Sequence, residues 1–186
     1  MLIDSSIRSP NHAPRGRRAV TMIVIHATAG SARSALAWLT NPAARVSAHY
    51  LIDKGGRIFQ LVPDELAAWH AGRAAWRGET AINEVSIGIE LENANTGRDP
   101  YPPEQVDALV ELVREKVRQH RILPENVVRH LDVAMPRGRK RDPAGFDWPA
   151  FRERLFAQLP PPPPERPPPP LPPAPPRAAL ARAVLS

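Results

Sequence analysis

The fold is decided by a nearly continuous apolar run close to the N-terminus, Val20-Thr21-Met22-Ile23-Val24-Ile25-His26. Most of these residues are β-branched, and apolar side chains occupy both alternating sets of positions. Such a run predicts a strand that is covered on both faces, as in the parallel sheets of α/β proteins. The run ends at a histidine that is followed by small residues at 27–30. Open α/β sheets bind ligands at this end of their strands, so His26 is a candidate ligand, although a purely structural histidine fits the same position.

Further strands and helices follow this strand in alternation. The predicted strands cover 46–52, 57–62, 85–91 and 126–130, and the predicted helices cover 31–39, 103–120 and 148–159. The turn sequence Asp53-Lys54-Gly55-Gly56 predicts that the second and third strands form a hairpin. We therefore expect an α/β fold with a central mixed β-sheet of about five to six strands flanked by helices.

The chain divides into a folded domain and a tail. Residues 1–159 are expected to form one domain, in which 1–19 are an irregular lead-in. Residues 160–186 form a Pro-rich tail. This composition favours extended polyproline II structure without a core, so we expect the tail to be disordered. It would act either as a plain spacer or as a docking segment for a partner or the cell envelope.

Composition limits the possible partners and metal sites. The formal net charge is +6, and a basic surface favours polyanions such as nucleic acid, an anionic cell-wall polymer or a membrane surface. Nucleic acid is not expected as a partner, because the charge is spread out and no basic arm is present. The sequence has no cysteine, which excludes disulfides and thiolate ligands. A metal site must therefore consist of histidine and carboxylate side chains.

The sequence carries no visible pattern for membrane insertion or Sec-dependent export. Its first residues lack the charged start and apolar core of a signal peptide, and no apolar stretch is long enough for a transmembrane segment. The expected location is therefore either the cytoplasm or the cell wall after release by a non-Sec route. We expect a monomer, although no sequence feature determines the oligomeric state.

Three polar residues stand at the C-terminal ends of predicted strands: His26, Glu90 and His130. If these strands run parallel, the three side chains meet at one edge of the sheet. Asp142 follows in the loop after the last strand. Two histidines and one carboxylate, with a fourth position open, are typical of a catalytic zinc site. His26, His130 and Asp142 are therefore candidate ligands of a Zn²⁺ ion.

The same edge holds two candidate catalytic residues. Glu90 lies near the end of an apolar strand, where burial is costly and raises the pKa of a carboxyl group, as suits a general base. Lys140 stands shortly before Asp142 and could stabilise the oxyanion of a tetrahedral intermediate. A zinc ion beside them would polarise a carbonyl and lower the pKa of water.

A loop with two tryptophans and a histidine follows the hairpin. Trp69, His70 and Trp76 lie close together in the sequence. Their rings either stack on a sugar and close over a substrate, or pack a small core of the loop itself. His49, in the second strand, has two possible environments: the core, where it would be hydrogen-bonded, or a cleft.

Several stretches, in this order, resemble the type 2 N-acetylmuramoyl-L-alanine amidases, a family related to phage lysozyme-type amidases and peptidoglycan-recognition proteins. They run over about residues 20–150 and are specific in combination. The stretches are Ile23–His26, Val46–Ile52, Ala68–Gly72, Asn83 with Ser86–Glu90, and His130–Asp132 with Gly138–Pro143.

The resemblance implies the fold of these amidases and hydrolysis of the amide bond between N-acetylmuramic acid and L-alanine. The substrate would be peptidoglycan or muropeptides, in cell-wall degradation, turnover or lysis. By motif position, the zinc ligands would be His26, His130 and Asp142, and the catalytic residues Glu90 and Lys140. His49 and His70 would be structural or substrate-facing, and Trp69 and Asn83 would shape the groove that binds the substrate peptide.

Two features depart from the family pattern. Ala27 stands where many relatives carry tyrosine, and the segment 130–142 is somewhat longer than usual. We expect the extra residues to bulge around Pro136 and Gly138, with both ends of the segment undisturbed.

A muropeptide-recognition module without catalytic activity is the alternative function. The presence of Glu90, Lys140 and Asp142 argues against it. A third possibility, a nucleic-acid binder, rests on the basic charge alone.

Overall fold

The structure, a computed structural model, describes residues 1–157 and is built on a six-stranded mixed sheet. The strands are β1 (Ile3–Asp4), β2 (His12–Pro14), β3 (Met22–Ala27), β4 (Tyr50–Ile52), β5 (Ile58–Gln60), β6 (Leu66–Ala68), β7 (Ser86–Leu91) and β8 (Val127–Arg129). The α-helices are α1 (Ala32–Leu39), α2 (Ile82–Val85), α3 (Pro103–His120), α4 (His130–Val133) and α5 (Trp148–Phe156), and short 3-10 turns cover Pro42–Ala44 and Pro124–Asn126.

The sheet has the strand order β1-β5-β4-β7-β3-β8. Strands β4, β7, β3 and β8 run parallel to one another, whereas β5 is antiparallel to β4. This arrangement confirms the predicted α/β fold with a mixed sheet. Strand β3 is fully buried and β7 is buried except at Glu90, and both lie between other strands, which explains why both are mostly apolar on both faces.

One face of the sheet is covered by α3 and α5. Ile23 and Ile25 of β3 belong to a buried cluster with Leu112 of α3 and Phe151 of α5. The apolar residues of α3 recur at helical spacing, so the helix buries one continuous stripe against the sheet. This packing leaves the opposite face of β3 free for other contacts.

The opposite face is apolar near the N-terminal end of β3 and polar near its C-terminal end. Met22 and Val24 of β3 pack there against Ile82 of α2 and Val133 of α4. The next residue of β3 on this face is His26, because side chains alternate along a strand. The C-terminal edge of the parallel strands therefore carries the polar groups.

The expectation of an irregular lead-in at 1–19 is wrong at two places. Strand β1 pairs in parallel with β5 at the edge of the sheet, and β2 pairs with β6 in a separate two-stranded sheet. Both strands are short and lack an apolar alternation, so their pairing rests on backbone hydrogen bonds that leave no pattern in the sequence.

The Pro-rich tail expected at 160–186 and the predicted domain boundary before it lie outside the described residues. Among residues 1–157, none of the helices combines the length and the apolar character needed to cross a membrane.

The lead-in is fastened to the domain by the buried side chain of Arg15. Its guanidinium donates hydrogen bonds to the backbone oxygens of Asp64 (2.7 Å), Asn83 (3.1 Å), Glu84 (2.8 Å) and Ser86 (2.7 Å). One cation thus satisfies carbonyl groups of the loop after β5, of α2 and of β7.

Replacing this side chain should destabilise the domain. Arg15→Ala leaves several buried carbonyl oxygens without a donor, and we expect a loss of about 3 kcal/mol in the free energy of unfolding. Arg17→Ala, at an exposed neighbouring position, is the matched control and should change stability by less than about 0.5 kcal/mol. Denaturant unfolding of both variants measures the difference, and equal stabilities would contradict the role of Arg15.

Candidate metal centre and active site

Parallel strand pairing brings three of the predicted site residues together. His26 of β3 lies directly opposite Glu90 of β7 in the register, and Ile25 lies opposite Arg129 of β8. His130 follows Arg129 as the first residue of α4. The rings of His26 and His130 consequently stand side by side, with 4.3 Å between their centroids.

Asp142 reaches the two histidines from the far end of the loop that follows α4. The backbone N–H of Leu131 donates to the carbonyl oxygen of Asp142 (3.1 Å) and so closes this loop on itself. The Asp142 Oδ2 atom lies 2.9 Å from His130 Nδ1 and 3.5 Å from His26 Nδ1. All three side chains are buried, and their potential ligand atoms lie within 4.8 Å of one another.

The protonation of these groups suits a metal cation. Burial, and secondarily the charge of His130, lower the pKa of His26 to about 4, so its imidazole is neutral near pH 7. Although burial acts against ionisation, the hydrogen bond from His130 and the adjacent His26 ring hold the pKa of Asp142 well below its usual range. The cluster therefore offers an ionised carboxylate oxygen and a neutral imidazole nitrogen.

The Nε2 atoms of His26 and His130, which face away from Asp142, each have a hydrogen-bond partner. His130 Nε2 lies 3.2 Å from the carbonyl oxygen of Ala71, to which only an N–H can donate. His26 Nε2 lies 3.0 Å from His70 Nδ1. Metal binding would require hydrogens on both Nε2 atoms, and the Nδ1 lone pairs of the two rings would then face the metal beside Asp142. Nitrogen and carboxylate donors in this arrangement could hold a metal cation.

Glu90 stands beside this cluster with one oxygen unpaired. Its Oε2 atom is buried and has no hydrogen-bond partner among the described residues. Burial, and then the negative charge of Asp142, raise the pKa of Glu90 to about 8, with Lys140 acting in the opposite direction. A carboxyl group with a free oxygen and a pKa near neutrality is suited to accept and return a proton.

The loop 130–142 bulges and still places Lys140 and Asp142 at the site. The N–H of Arg139 donates to the carbonyl oxygen of Pro136 (3.1 Å), and Gly138 between them has a φ of +82°. The Arg139 side chain donates to the carbonyl oxygens of Met135 and Arg73, both at 2.8 Å. These hydrogen bonds connect the bulge to the segment around Arg73. Lys140 is exposed and lines the cleft next to the cluster of His26, His130 and Asp142.

A cleft of about 740 Å³ opens over these residues. Aromatic rings of Trp38 and Trp69 stand among its lining residues, and so do the cationic side chains of Arg139, Lys140 and Arg141. The cleft therefore combines apolar surface with positive charge. Such a site suits a ligand that carries both a ring and carboxylate groups.

Trp38 is a cleft residue that the sequence interpretation missed. It lies on α1 next to buried Leu39, but its own side chain is 58% exposed. The sequence position of Trp38 could have indicated this role, because Trp38 falls outside the apolar stripe of the helix. A large aromatic residue on a polar helix face often marks a binding surface.

The four residues expected to face the substrate occupy different places. Trp69 and His70 line the cleft, whereas His49 and Asn83 do not. The substrate-facing prediction is therefore unsupported for the latter two, whose contacts are internal. His49 accepts a hydrogen bond from the Gly88 N–H at Nδ1 (2.9 Å) and contacts the Leu66 oxygen through Nε2 (3.0 Å).

Asn83 and Trp76 stabilise the loop that carries His70. The Asn83 Oδ1 atom accepts the backbone N–H groups of His70 (3.1 Å) and Ala71 (2.8 Å). Trp76 packs against the small cluster under this loop and donates its indole N–H to Asn126 Oδ1 (3.3 Å). Of the two interpretations of the tryptophans, internal packing holds for Trp76, and Trp69 lies in the cleft.

Comparisons with known proteins identify the family of the chain. The family model of the N-acetylmuramoyl-L-alanine amidases matches residues 16–145. The N-acetylmuramoyl-L-alanine amidase AmiD of Escherichia coli (strain K12) is 42% identical over 144 residues, which are 69% of this chain and 51% of the relative. The chain thus spans about half the length of this curated relative.

Solved structures of similar proteins share the fold. A selenomethionine derivative of AmpD superposes with a TM-score of 0.72 at 30% identity, over 83% of this chain and 99% of that one. E. coli AmiD, solved with the substrate anhydro-N-acetylmuramic acid-L-Ala-D-γ-Glu-L-Lys, superposes with a TM-score of 0.67 at 38% identity, over 80% of this chain and 61% of that one. The chain belongs to the type 2 N-acetylmuramoyl-L-alanine amidase family.

Proposed function

We propose that this protein is a zinc-dependent amidase that hydrolyses the amide bond between N-acetylmuramic acid and L-alanine in muropeptides. The proposal rests chiefly on one observation: the unpaired Glu90 oxygen lies beside the buried cluster of His26, His130 and Asp142. Membership of the amidase family and the substrate named for the AmiD structure support the choice of bond.

The metal would be held by His26 Nδ1, His130 Nδ1 and Asp142 Oδ2. When bound there, zinc supplies a Lewis acid that polarises an amide carbonyl and acidifies water. The absence of thiolates, with two imidazole nitrogens and one carboxylate as donors, is the composition of catalytic rather than structural zinc sites.

The protein groups around the cluster would move the protons of the reaction. Glu90 accepts a proton from the attacking water as the new carbon–oxygen bond forms. It then gives this proton to the departing amino group of L-alanine as the carbon–nitrogen bond breaks, so one residue is base and then acid. The Lys140 ammonium, at the edge of the cleft, stabilises the negative charge that develops on the carbonyl oxygen.

The composition of the cleft supports a muropeptide as the substrate. The rings of Trp38 and Trp69 offer flat surfaces to a sugar, and Lys140 and Arg141 offer positive charge to the carboxylates of a stem peptide. A module that recognised muropeptides without cutting them would not need a carboxyl oxygen that is buried and unpaired next to the cleft, because burying such an oxygen costs stability.

The direct experiment is incubation of the protein with purified anhydro-muropeptide, followed by mass spectrometry of the products. We expect two products: the free anhydro sugar and a peptide with a new L-alanine amino terminus. Binding of the muropeptide without release of these two products would favour the recognition module instead.

Glu90→Gln should abolish most of the activity while the fold persists. The amide of glutamine matches the carboxyl group in size but cannot accept the proton, and we expect kcat to fall by about 10²- to 10⁴-fold. Glu153→Gln, at an exposed position on α5, is the control and should behave like the wild type. Retention of full activity by Glu90→Gln would contradict the assigned role.

The same substitution should also change how stability depends on pH in the metal-free protein. Folding raises the pKa of Glu90 from 4.5 to about 8, so ionisation favours the unfolded chain increasingly as the pH rises through this range. Glu90→Gln should therefore gain stability relative to the wild type between these pH values and keep that gain above them. Denaturant unfolding below and above the range measures it, and a pH-independent difference would show that the carboxyl group is not buried as described.

Chelation should remove the activity, and added zinc should restore it. His130→Ala removes one of only three donors, so the dialysed variant should hold less than about one-tenth of the wild-type zinc by elemental analysis. His12→Ala, in β2 and outside the cleft, should bind zinc like the wild type. If His49→Ala lost zinc while His130→Ala retained it, the assigned ligand set would be wrong.

A further inference from the structure

His70 lies between a candidate metal ligand and a serine of the neighbouring strand. Its Nδ1 atom is 3.0 Å from His26 Nε2, and its Nε2 atom is 3.0 Å from Ser86 Oγ. The rings of His26 and His70 meet almost at right angles, with an interplanar angle of 83°. His70 therefore contacts the metal cluster through the outer nitrogen of His26, on the side opposite to Asp142.

The hydrogen positions along this chain of contacts follow from its far end. Ser86 Oγ lies 2.5 Å from the carbonyl oxygen of Ile82, which can only accept, so the hydroxyl hydrogen points to Ile82. Ser86 Oγ must then accept a hydrogen from His70 Nε2. His70 Nδ1 consequently carries the lone pair of the neutral ring and accepts the hydrogen of His26 Nε2. The remaining lone pair of His26 lies on Nδ1, which faces Asp142.

The position of the His70 ring is fixed from two sides. The ring lies directly on Gly88 of β7, where an added Cβ would stand only 2.4 Å from His70 Cγ. Only glycine allows this close approach. On the other side, Asn83 Oδ1 accepts the backbone N–H of His70 (3.1 Å). The ring therefore has little freedom to leave the line between His26 and Ser86.

We propose that His70 is a positioning residue that holds His26 in the Nε2–H tautomer and thereby aims the Nδ1 lone pair at the metal. The inference deepens the proposed function and rests on its metal site. It replaces the role in substrate binding that the sequence resemblance left open for His70. Ser86 and Gly88 support this role of His70. Ser86 determines which nitrogen of His70 carries the hydrogen, and Gly88 leaves space for the His70 ring.

Loss of this contact should weaken metal binding without removing a ligand. A free histidine populates both tautomers, and the wrong one places an N–H where the metal must bind. Removing the partner of a ligating histidine typically costs 10- to 100-fold in metal affinity. We expect a zinc dissociation constant about 10- to 100-fold higher for His70→Leu.

The test compares His70→Leu with His70→Gln, whose side chain keeps one acceptor and one donor. Zinc affinity is measured by competition with a chromophoric chelator, and the tautomer of His26 is read from imidazole ¹⁵N–¹H correlation spectra of the metal-free protein. We expect a predominant Nε2–H form of His26 in the wild type, a mixture in His70→Leu, and recovery of most of the zinc affinity in His70→Gln. His12→Ala, which replaces a histidine outside the cleft, is the control and should keep wild-type zinc affinity.

Other outcomes separate this inference from the function on which it rests. Wild-type zinc affinity in His70→Leu, or an Nδ1–H form of His26 in the wild type, would overturn the role of His70. Failure of the wild type to bind zinc, together with an Nε2–H form of His26, would overturn the metal site and leave the hydrogen-bond chain standing. If His70→Leu does not fold, Ser86→Ala tests the far end of the chain, and an unchanged proportion of His26 tautomers in that variant would overturn the proposal.

Discussion

The candidate site depends on the parallel pairing of β3 with β7 on one side and β8 on the other. Parallel neighbours end at the same edge of a sheet, and here the register sets His26 opposite Glu90 and places His130 one residue beyond the pairing of β8. An antiparallel arrangement or a one-residue slip would turn at least one of these side chains away. The helices α3 and α5 pack on one face of the sheet, and the side chain of His26 lies on the other face.

The site concentrates groups that are costly to bury, and each has a specific compensation. Asp142 is stabilised as an anion by its contacts with His130 and His26, whereas Glu90 has an unpaired oxygen and a raised pKa. The contrast between two neighbouring carboxyl groups divides their functions: one is suited to hold a cation and the other to exchange a proton. The backbone carbonyl of Ala71 and the ring of His70 complete the arrangement by engaging the outer histidine nitrogens.

Much of this architecture could be predicted from the sequence, because β3 and β7 are apolar runs with His26 and Glu90 near their C-terminal ends, and His130 directly follows the short strand β8. Their convergence required only that the strands be parallel, and the bulge before Asp142 followed from its Pro and Gly residues. Strands β1 and β2 could not be predicted, since backbone pairing of polar segments leaves no side-chain pattern. The internal contacts of His49 and Asn83, the place of Trp38 and the carbonyl contacts of Arg15 depend on tertiary packing between distant segments.

The central claim is that three residues from separate segments form one metal site through the Nδ1 atoms of both histidines. Anomalous scattering at the zinc absorption edge, recorded from crystals of the zinc-loaded protein, tests it most directly. The account predicts one strong peak about 2.0–2.2 Å from His26 Nδ1, His130 Nδ1 and an Asp142 carboxylate oxygen, with Glu90 nearby but outside the coordination sphere. A peak elsewhere, or coordination through Nε2 of either histidine, would contradict it.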